Sequence, residues 1–302
     1  MSAPLVAGIS RAAGLIATVV RLTQRRSPSL TWRQIGLAVY LGLNIGMILY
    51  QPWHVGFTRD WELWRSLAPA LATGDLYGSL GVELPYVWSP FMAPLMAAVG
   101  IGGPLPWAAL HVAALLTLRD WRLIVLMLCT WGFWTDVAGA NTFGFVVIAG
   151  ALAWRGSRSA ALVYLTLLFL MPRPIQVPLA LLLLLGMPEI RWPALIIFAS
   201  HTGLVVASGY ATSWIANMLE YGSTTPHDLG PRFFLGAVWV PIAIALAAWF
   251  TWWRRPGWAG LFVSAYWLPQ YFLMPLIEWR SGPRETRSKP VPAAGGDHHG
   301  IL

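Results

Sequence analysis

Residues 51–87 read QPWHVGFTRDWELWRSLAPALATGDLYGSLGVELPYV, a polar segment between two apolar runs that are long enough to enter a bilayer. The segment holds four of the twelve acidic residues of the chain, together with two arginines and a histidine: Asp60, Glu62, Asp75, Glu83, Arg59, Arg65 and His54. A hydrophobic chain with few charges seldom collects so many in one interhelical segment unless they are used. We therefore look for chemistry here first.

The middle of this segment predicts a short helix that lies on the membrane surface. Residues 61–72 lack the alternation of a strand. They carry leucines at four-residue spacing and two tryptophans suited to interfacial anchoring: Leu63, Leu67, Leu71, Trp61 and Trp64. Asp60 and Glu62 open the helix, where carboxylates interact favourably with the positive end of the helix dipole.

The composition of the chain indicates a polytopic helical membrane protein. The 302 residues are 57% hydrophobic and 11% charged, and the mean hydropathy is +0.60. Nineteen tryptophans suit many membrane–water boundaries, and the net charge of +8 is explained by cytoplasmic loops and anionic headgroups without a nucleic acid. The single cysteine, Cys129, lies in an apolar run, which excludes a disulfide framework within the chain.

The N-terminal part sets the predicted topology. Residues 1–33 predict an amphipathic, basic segment on the cytoplasmic side, and residues 5–20 lack a good signal-peptide cleavage site. Residues 34–50 form the first span, which places residues 51–87 outside. Two apolar runs follow, 89–99 and 105–118, and each is short for a crossing of about 20 residues. One net crossing with a re-entrant first half and two complete spans are both compatible with them.

Arginine-rich turns give the direction of the later spans, which we place at residues 123–135, 142–154, 159–170, 175–187, 192–210 and 233–253. Residues 211–232 become a second outer loop. The last apolar stretch, 258–277, is broken by two prolines and either crosses once or folds back. The transmembrane domain thus covers residues 34–280 with roughly eight to ten transmembrane or re-entrant helices, and residues 281–302 are predicted to be a disordered tail.

This topology collects ionisable residues on the outer face, namely Asp60, Glu62, Asp136, Arg173, His227, Asp228 and Arg232. Arg173 is the most informative of these, because it lies between two prolines at the outward end of a helix, against the positive-inside preference. An ionisable residue at membrane depth is a functional candidate by default. The alternative is an arginine that reaches lipid phosphate or pairs with Asp136.

Structural roles compete with functional ones at the other candidates. Asp60 is also explained as a solvated residue at a helix start, and Asp136 as a helix cap. His111 and His201 are expected to be packed with a satisfied ring nitrogen. The chain has no metal-ligand spacing, no phosphate-binding glycine loop and no Gly-x-Ser-x-Gly motif, so a soluble-type enzyme that uses nucleotides is not supported.

Four stretches follow one another in the order of a known pattern: Asp60-Trp-Glu62, then APALATGDLYG at 68–78, then Tyr86-Val-Trp-Ser-Pro90 leading into Pro94, and Met171-Pro-Arg-Pro-Ile-Gln176. Over residues 35–210 the chain resembles the bacterial polyprenyl-phosphate-mannose-dependent mannosyltransferases, glycosyltransferase family 87 of the membrane-embedded GT-C class. Arg173 stands where the family commonly has lysine, and Trp88 where it has a second tyrosine. The family's Gly-Gln motif appears only as Gly139-Ala140-Asn141, so its glutamine is missing. The chain is also short for the class.

The resemblance implies a GT-C-like fold and an inverting sugar transfer from a polyprenyl phosphate, with mannose as the sugar, to a lipid or glycan hydroxyl. Such a reaction needs a carboxylate that takes the acceptor proton and a cation that stabilises the departing phosphate. Asp60 is the implied base, Glu62 its substitute or orienting partner, and Arg173 the phosphate contact. The other implied substrate-binding residues are Asp136, Tyr86, Trp88, Arg59 and Asn141. No cofactor or metal is expected.

The implied location is the bacterial plasma membrane, which the chain crosses several times. Whether a membrane-protein partner completes the fold stays open. Two other functions compete. An inactive GT-C-like scaffold or lipid-binding subunit is favoured by the short chain and the missing glutamine. A transporter or flippase would need charged or polar residues near the middle of spans, or inverted repeats. The sequence offers only Asn44, His111 and His201 as mid-span candidates, and it shows no repeat.

Overall fold

The computed structural model describes residues 42, 59–78, 86–224, 231–264 and 267–279. The described residues form helices and no strand, which confirms the all-α prediction. The predictions for residues 1–33, for the span at 34–50 and for the tail at 281–302 lie outside the described residues.

Thirteen α-helices of the described part are numbered here in chain order: α1 Arg59–Thr73, α2 Ala93–Gly102, α3 Pro104–Leu116, α4 Trp121–Leu128, α5 Trp131–Ala138, α6 Phe143–Trp154, α7 Arg158–Leu170, α8 Val177–Gly186, α9 Arg191–Ala207, α10 Ala211–Thr224, α11 Pro231–Leu235, α12 Trp239–Trp252 and α13 Pro256–Val263. Short 3₁₀ helices connect or extend several of them: Pro90–Met92, Pro174–Gln176, Pro188–Ile190, Gly236–Val238 and Pro269–Glu278. The helix predicted at 61–72 is present as α1.

The span predicted at 123–135 is not one continuous helix, because the chain breaks there into α4 and α5. Thr130 has an extended backbone (φ −97°, ψ 136°), and its hydroxyl donates a hydrogen bond to the carbonyl of Met127 at 2.7 Å. Each of the two helices has 8 residues and is therefore only about 12 Å long at about 1.5 Å per residue. The extended backbone at Thr130 therefore separates the two helices.

The predicted outer loop at 211–232 contains helix α10, and this region docks on the first polar segment. Three side chains donate hydrogen bonds to backbone carbonyls of that segment: Tyr210 Oη to Gly74 (3.0 Å), Trp214 Nε1 to Val87 (3.0 Å) and Asn217 Nδ2 to Tyr77 and Tyr86 (3.2 Å each). The two segments predicted to lie on the same face are thus in direct contact.

Two ion pairs lie where helix α6 ends and helix α7 begins. Asp120 pairs with Arg155 at 3.0 Å, and Arg158 pairs with Glu189 at 2.8 Å. Helix α6 has 12 residues, or about 18 Å, and it runs from the neighbourhood of Asp136 to Arg155. The turns predicted to lie inside therefore meet one another at the end of α6 opposite to Asp136.

The last apolar stretch folds back on itself, which decides between the two arrangements that the sequence allowed. The Glu278 carboxylate accepts hydrogen bonds from the backbone N–H of Gly257 at 2.7 Å and from Arg255 Nη1 at 3.3 Å. A side chain at Gly257 would collide with the carbonyl of Met274, so glycine permits the close approach of α13 and the 3₁₀ helix. The beginning and the end of this stretch lie together.

Among the described residues, one helix has the length and composition to cross a membrane, Pro188–Ala207 with 20 residues. A second candidate is the pair Pro90–Gly102 and Pro104–Leu116, which is bent by 116°. The bend occurs at Gly103, whose φ of 79° favours glycine. The number of transmembrane helices therefore stays a prediction.

Candidate functional site

Helix α1 packs against the protein core through the face that carries its tryptophans and leucines. The prediction that these tryptophans anchor at the membrane surface is therefore wrong. Trp61 and Trp64 are only 8% and 2% exposed. Their indole N–H groups donate to the carbonyls of Ala138 (2.8 Å) and Ala140 (3.0 Å). These bonds fix α1 to the turn that follows α5, because a buried indole N–H requires an acceptor.

Residues 139–141 form a turn that contacts two of the predicted site residues. Ala140 adopts a left-handed conformation with φ 53°, which is unusual for a residue with a side chain. A methyl group built on Gly139 would lie 3.7 Å from Asp60 Oδ2, and Asn141 Oδ1 accepts a hydrogen bond from Arg173 Nη2 at 2.9 Å. The turn thus brings the neighbourhoods of Asp60 and Arg173 together.

Arg173 is a buried cation with part of its hydrogen-bonding capacity unused. It is 8% exposed, and its guanidinium carbon lies 5.4 Å from the ring centroids of both Trp88 and Phe143, which gives favourable cation–π contacts. Its buried Nη1 has no hydrogen-bond partner within the described part of the chain. No carboxylate there lies within 4.0 Å of it either. A buried charge without a carboxylate in direct contact is costly, and a guanidinium suits a phosphate, so this geometry indicates an anion site.

The sequence around Arg173 explains its position. Helix α7 ends at Leu170, since Pro172 cannot continue a helix and restricts the residue before it. Pro174 then begins the next 3₁₀ helix, and Arg173 takes the extended conformation that precedes a proline (φ −131°, ψ 126°). Met171 is buried beneath this turn, and its sulfur accepts a hydrogen bond from the Thr142 hydroxyl at 2.9 Å. The arginine is therefore held on a fixed backbone.

Asp60 has the electrostatic properties of a base that works near neutral pH. Its side chain is half-buried, and burial raises its pKa from 3.8 to about 7. The positive charge of Arg173 acts in the opposite direction and lowers this pKa, whereas the Asp136 carboxylate raises it. A carboxylate with a pKa near the operating pH is suited to general base catalysis.

Asp136 serves as a cap for α6 in this structure. Its carboxylate is fully buried and accepts hydrogen bonds from the first two amides of the helix, Phe143 N at 3.0 Å and Gly144 N at 2.6 Å. These bonds satisfy N–H groups that have no partner inside a helix. The hypothesis that Asp136 holds Arg173 is wrong for this geometry, because Arg173 bonds Asn141 instead.

His111 is the second partner of Asp136. Its Nε2 lies 3.1 Å from Asp136 Oδ2, and its Nδ1 donates to the carbonyl of Trp107 at 3.0 Å. Both ring nitrogens are therefore satisfied in the core, as the sequence analysis expected for this histidine. At His201, Nε2 lies 2.7 Å from the Ser89 hydroxyl.

The remaining predicted residues take different positions. Trp88 lies between Trp64 (ring centroids 4.6 Å apart) and Arg173, so it lines the anion site. Tyr86 is buried beside Trp88, and its hydroxyl donates to the carbonyl of Ser89 at 2.8 Å. Glu62 is exposed, and it lies about 200° around the helix from Asp60, so the structure does not bring it to the turn. The side chain of Arg59 lies outside the described part.

No protein-family model, no curated protein and no solved structure matches this chain. The similarity to the family 87 mannosyltransferases therefore stays a prediction. The function proposed below rests on the geometry of the site.

Two residues near Arg173 were not among the predicted site residues. Phe143 forms one side of the arginine site, and the sequence gives no signal for it because it begins an apolar helix. Gln176 is completely buried in the turn after Arg173. It belongs to the quoted stretch at 171–176, where a polar side chain directly before an apolar helix is the available signal. Within the described residues no group of three or more His, Cys, Asp or Glu side chains is arranged to hold a metal ion.

Proposed function

We propose that the chain is an inverting membrane glycosyltransferase of the bacterial plasma membrane. It transfers a sugar, mannose by the family resemblance, from a polyprenyl phosphate to a lipid or glycan hydroxyl at the outer face. One observation carries this proposal: a carboxylate with a pKa near 7 and a buried, incompletely bonded arginine meet at one turn.

The proposed reaction assigns one task to each of the two groups. The acceptor hydroxyl attacks the anomeric carbon of the donor sugar and gives its proton to the Asp60 carboxylate. The bond between that carbon and the phosphate oxygen breaks, and its electron pair leaves with the polyprenyl phosphate. Arg173 stabilises the charge on this phosphate, aided by Trp88 and Phe143, which hold the guanidinium in place. Attack opposite the leaving group inverts the anomeric carbon.

Exposed apolar side chains support the membrane part of the proposal. Helix α9 is mostly exposed and carries Trp192 (73% exposed), Ile196 (62%) and Val206 (64%) on its surface. The helix Pro188–Ala207 is also long and apolar enough to cross a membrane, and large exposed apolar patches mark contact with lipid or protein. A polyprenyl donor would reach the site from such a surface.

The test is transfer of radiolabelled mannose from polyprenyl-phosphate-mannose to a membrane lipid extract by the purified full-length protein. We expect transfer by the wild type, and a loss of at least about 100-fold in Asp60→Asn because the general base is removed. Arg173→Ala should lose activity similarly. Asp75→Asn is the matched control, since Asp75 is an exposed carboxylate just beyond the same helix.

Other outcomes would redirect the proposal. Full activity in Asp60→Asn would contradict its role as the base. Absence of transfer with every polyprenyl-phosphate sugar, from a wild type that still binds polyprenyl phosphate, would favour the lipid-binding scaffold.

A further inference from the structure

The side-chain amide of Gln176 is buried and makes no hydrogen bond to the described part of the protein core. It is fully buried, and neither Oε1 nor Nε2 has a hydrogen-bond partner among the described residues. Its backbone groups are satisfied, since its carbonyl accepts from the Tyr164 hydroxyl at 3.0 Å and its N–H donates to Arg173 at 3.0 Å. A buried amide without a hydrogen-bond partner destabilises the fold, so its presence here suggests that a ligand supplies the missing partners.

Gln176 and Arg173 belong to one tight turn of the chain. Gln176 N donates to the carbonyl of Arg173, which closes a single 3₁₀ turn between them. Arg173 Nη1 and both polar atoms of Gln176 are thus incompletely bonded, buried groups that belong to one turn.

The two side chains suit different parts of one ligand. A phosphate oxygen only accepts hydrogen bonds, so it can satisfy the guanidinium N–H but leaves the amide oxygen of Gln176 without a donor. A hydroxyl group both donates and accepts, and neighbouring hydroxyls can satisfy Oε1 and Nε2 together. The chemistry of the amide therefore matches a sugar better than a phosphate.

We propose that Gln176 binds hydroxyl groups of the donor sugar, beside the phosphate that Arg173 binds. This inference rests on the proposed function and deepens it, because it makes Gln176 a specificity-determining residue. A site built to hydrogen-bond a hydroxyl strongly rejects a ligand that lacks it, since the buried polar group is then left unpaired. Polyprenyl-phosphate-mannose should bind more tightly than polyprenyl phosphate for this reason.

The experiment compares the affinity of the full-length protein for polyprenyl-phosphate-mannose and for polyprenyl phosphate in detergent. Gln176→Met removes the amide at similar length and volume. We expect its affinity for the sugar-bearing lipid to fall at least about 10-fold, because two hydrogen bonds are lost, and its affinity for polyprenyl phosphate to change less than about twofold. Its melting temperature without ligand should rise, because the unpaired buried amide is gone.

Two further variants control the comparison. Leu179→Met exchanges a fully buried side chain of helix α8 for one of similar volume, and it should leave both affinities unchanged. Gln176→Asn keeps the amide but withdraws it by one methylene. This variant should also lose preference for the sugar-bearing lipid, and it serves as the test if Gln176→Met does not fold.

The outcomes distinguish failure of the role proposed for Gln176 from failure of the proposed glycosyltransferase function. If the wild type prefers the sugar-bearing lipid and the Gln176 variants keep that preference, Gln176 is a core residue and the inference is overturned while the function stands. An equal loss for both lipids would assign Gln176 to the phosphate and overturn the assignment to the sugar. A wild type that binds neither lipid would overturn the proposed function, and the inference with it.

Discussion

Replacing Asp60 by Asn should change how the stability of the protein depends on pH. The folded protein holds the Asp60 proton more tightly than the unfolded chain does, because its pKa is raised from 3.8 to about 7. The stability that this proton contributes is fully present below about pH 4 and is lost as the pH rises through about 7. Asparagine does not titrate, so the variant should lack this loss.

The size of the effect follows from the shift. The difference between 3.8 and about 7 is about 3 pH units, which corresponds to about 4 kcal/mol at about 1.4 kcal/mol per unit. Because the side chain is only half-buried, solvent screens part of this energy. We therefore expect the free energy of unfolding of Asp60→Asn at pH 8 to exceed that of the wild type by roughly 2 kcal/mol. At pH 4 the two proteins should have the same stability within about 0.5 kcal/mol.

The assay is thermal unfolding of the purified full-length protein in detergent between pH 4 and 8, followed by tryptophan fluorescence. We expect a melting temperature a few degrees higher in Asp60→Asn at pH 8 and a difference that disappears toward pH 4. Asp75→Asn should follow the wild type at every pH. A difference between Asp60→Asn and the wild type that is the same at pH 4 and pH 8 would refute the raised pKa. The case for Asp60 as a base active near neutral pH would then fail.

Three further substitutions test the turn and the anion site. Gly139→Ala places a methyl group 2.9 Å from the Thr135 carbonyl and should reduce mannose transfer by about 10-fold by displacing the turn, whereas Gly102→Ala meets no atom within 4 Å and should have full activity. Arg173→Lys keeps the charge but loses the planar, forked guanidinium, and it should weaken binding of polyprenyl phosphate by about 10-fold in a lipid-binding assay. An unchanged affinity would mean that the shape of the guanidinium is not needed for binding. Asp136→Asn leaves the first amides of α6 with a weaker acceptor, so its free energy of unfolding should fall by about 1–3 kcal/mol. If thermal unfolding shows no loss of stability, the cap contributes little.

The sequence could predict the features that depend on local pattern and charge. The helix at 61–72, the all-α class and the proline-framed position of Arg173 follow from periodicity, composition and the restrictions that proline imposes. The break inside 123–135 was missed because an apolar run gives no sign of where the backbone will leave the helical conformation, as it does at Thr130. Local pattern therefore predicts helices better than it predicts their interruptions.

The roles of the site residues depend on tertiary contacts that no spacing encodes. Asp60 and Glu62 look equivalent in the sequence, yet only Asp60 faces the turn at 139–141, because the buried tryptophan face of α1 fixes the rotation of the helix. The same contacts turned Trp61 from an expected membrane anchor into a core residue. Phe143 could not be predicted at all, since its contact with Arg173 joins residues 30 positions apart.

The two ends of helix α6 show why the pairing of charges is more informative than their number. At one end, Asp120, Arg155, Arg158 and Glu189 neutralise one another in two ion pairs with partly exposed members. Such pairs contribute little stability and require no ligand. At the other end, Arg173 is buried, bonded to a neutral amide, and faces no carboxylate within 4.0 Å in the part of the chain that the structure describes. A bound anion would offset the cost of burying Arg173 without a carboxylate in contact, which is why we propose that the phosphate of the substrate binds at this end of α6.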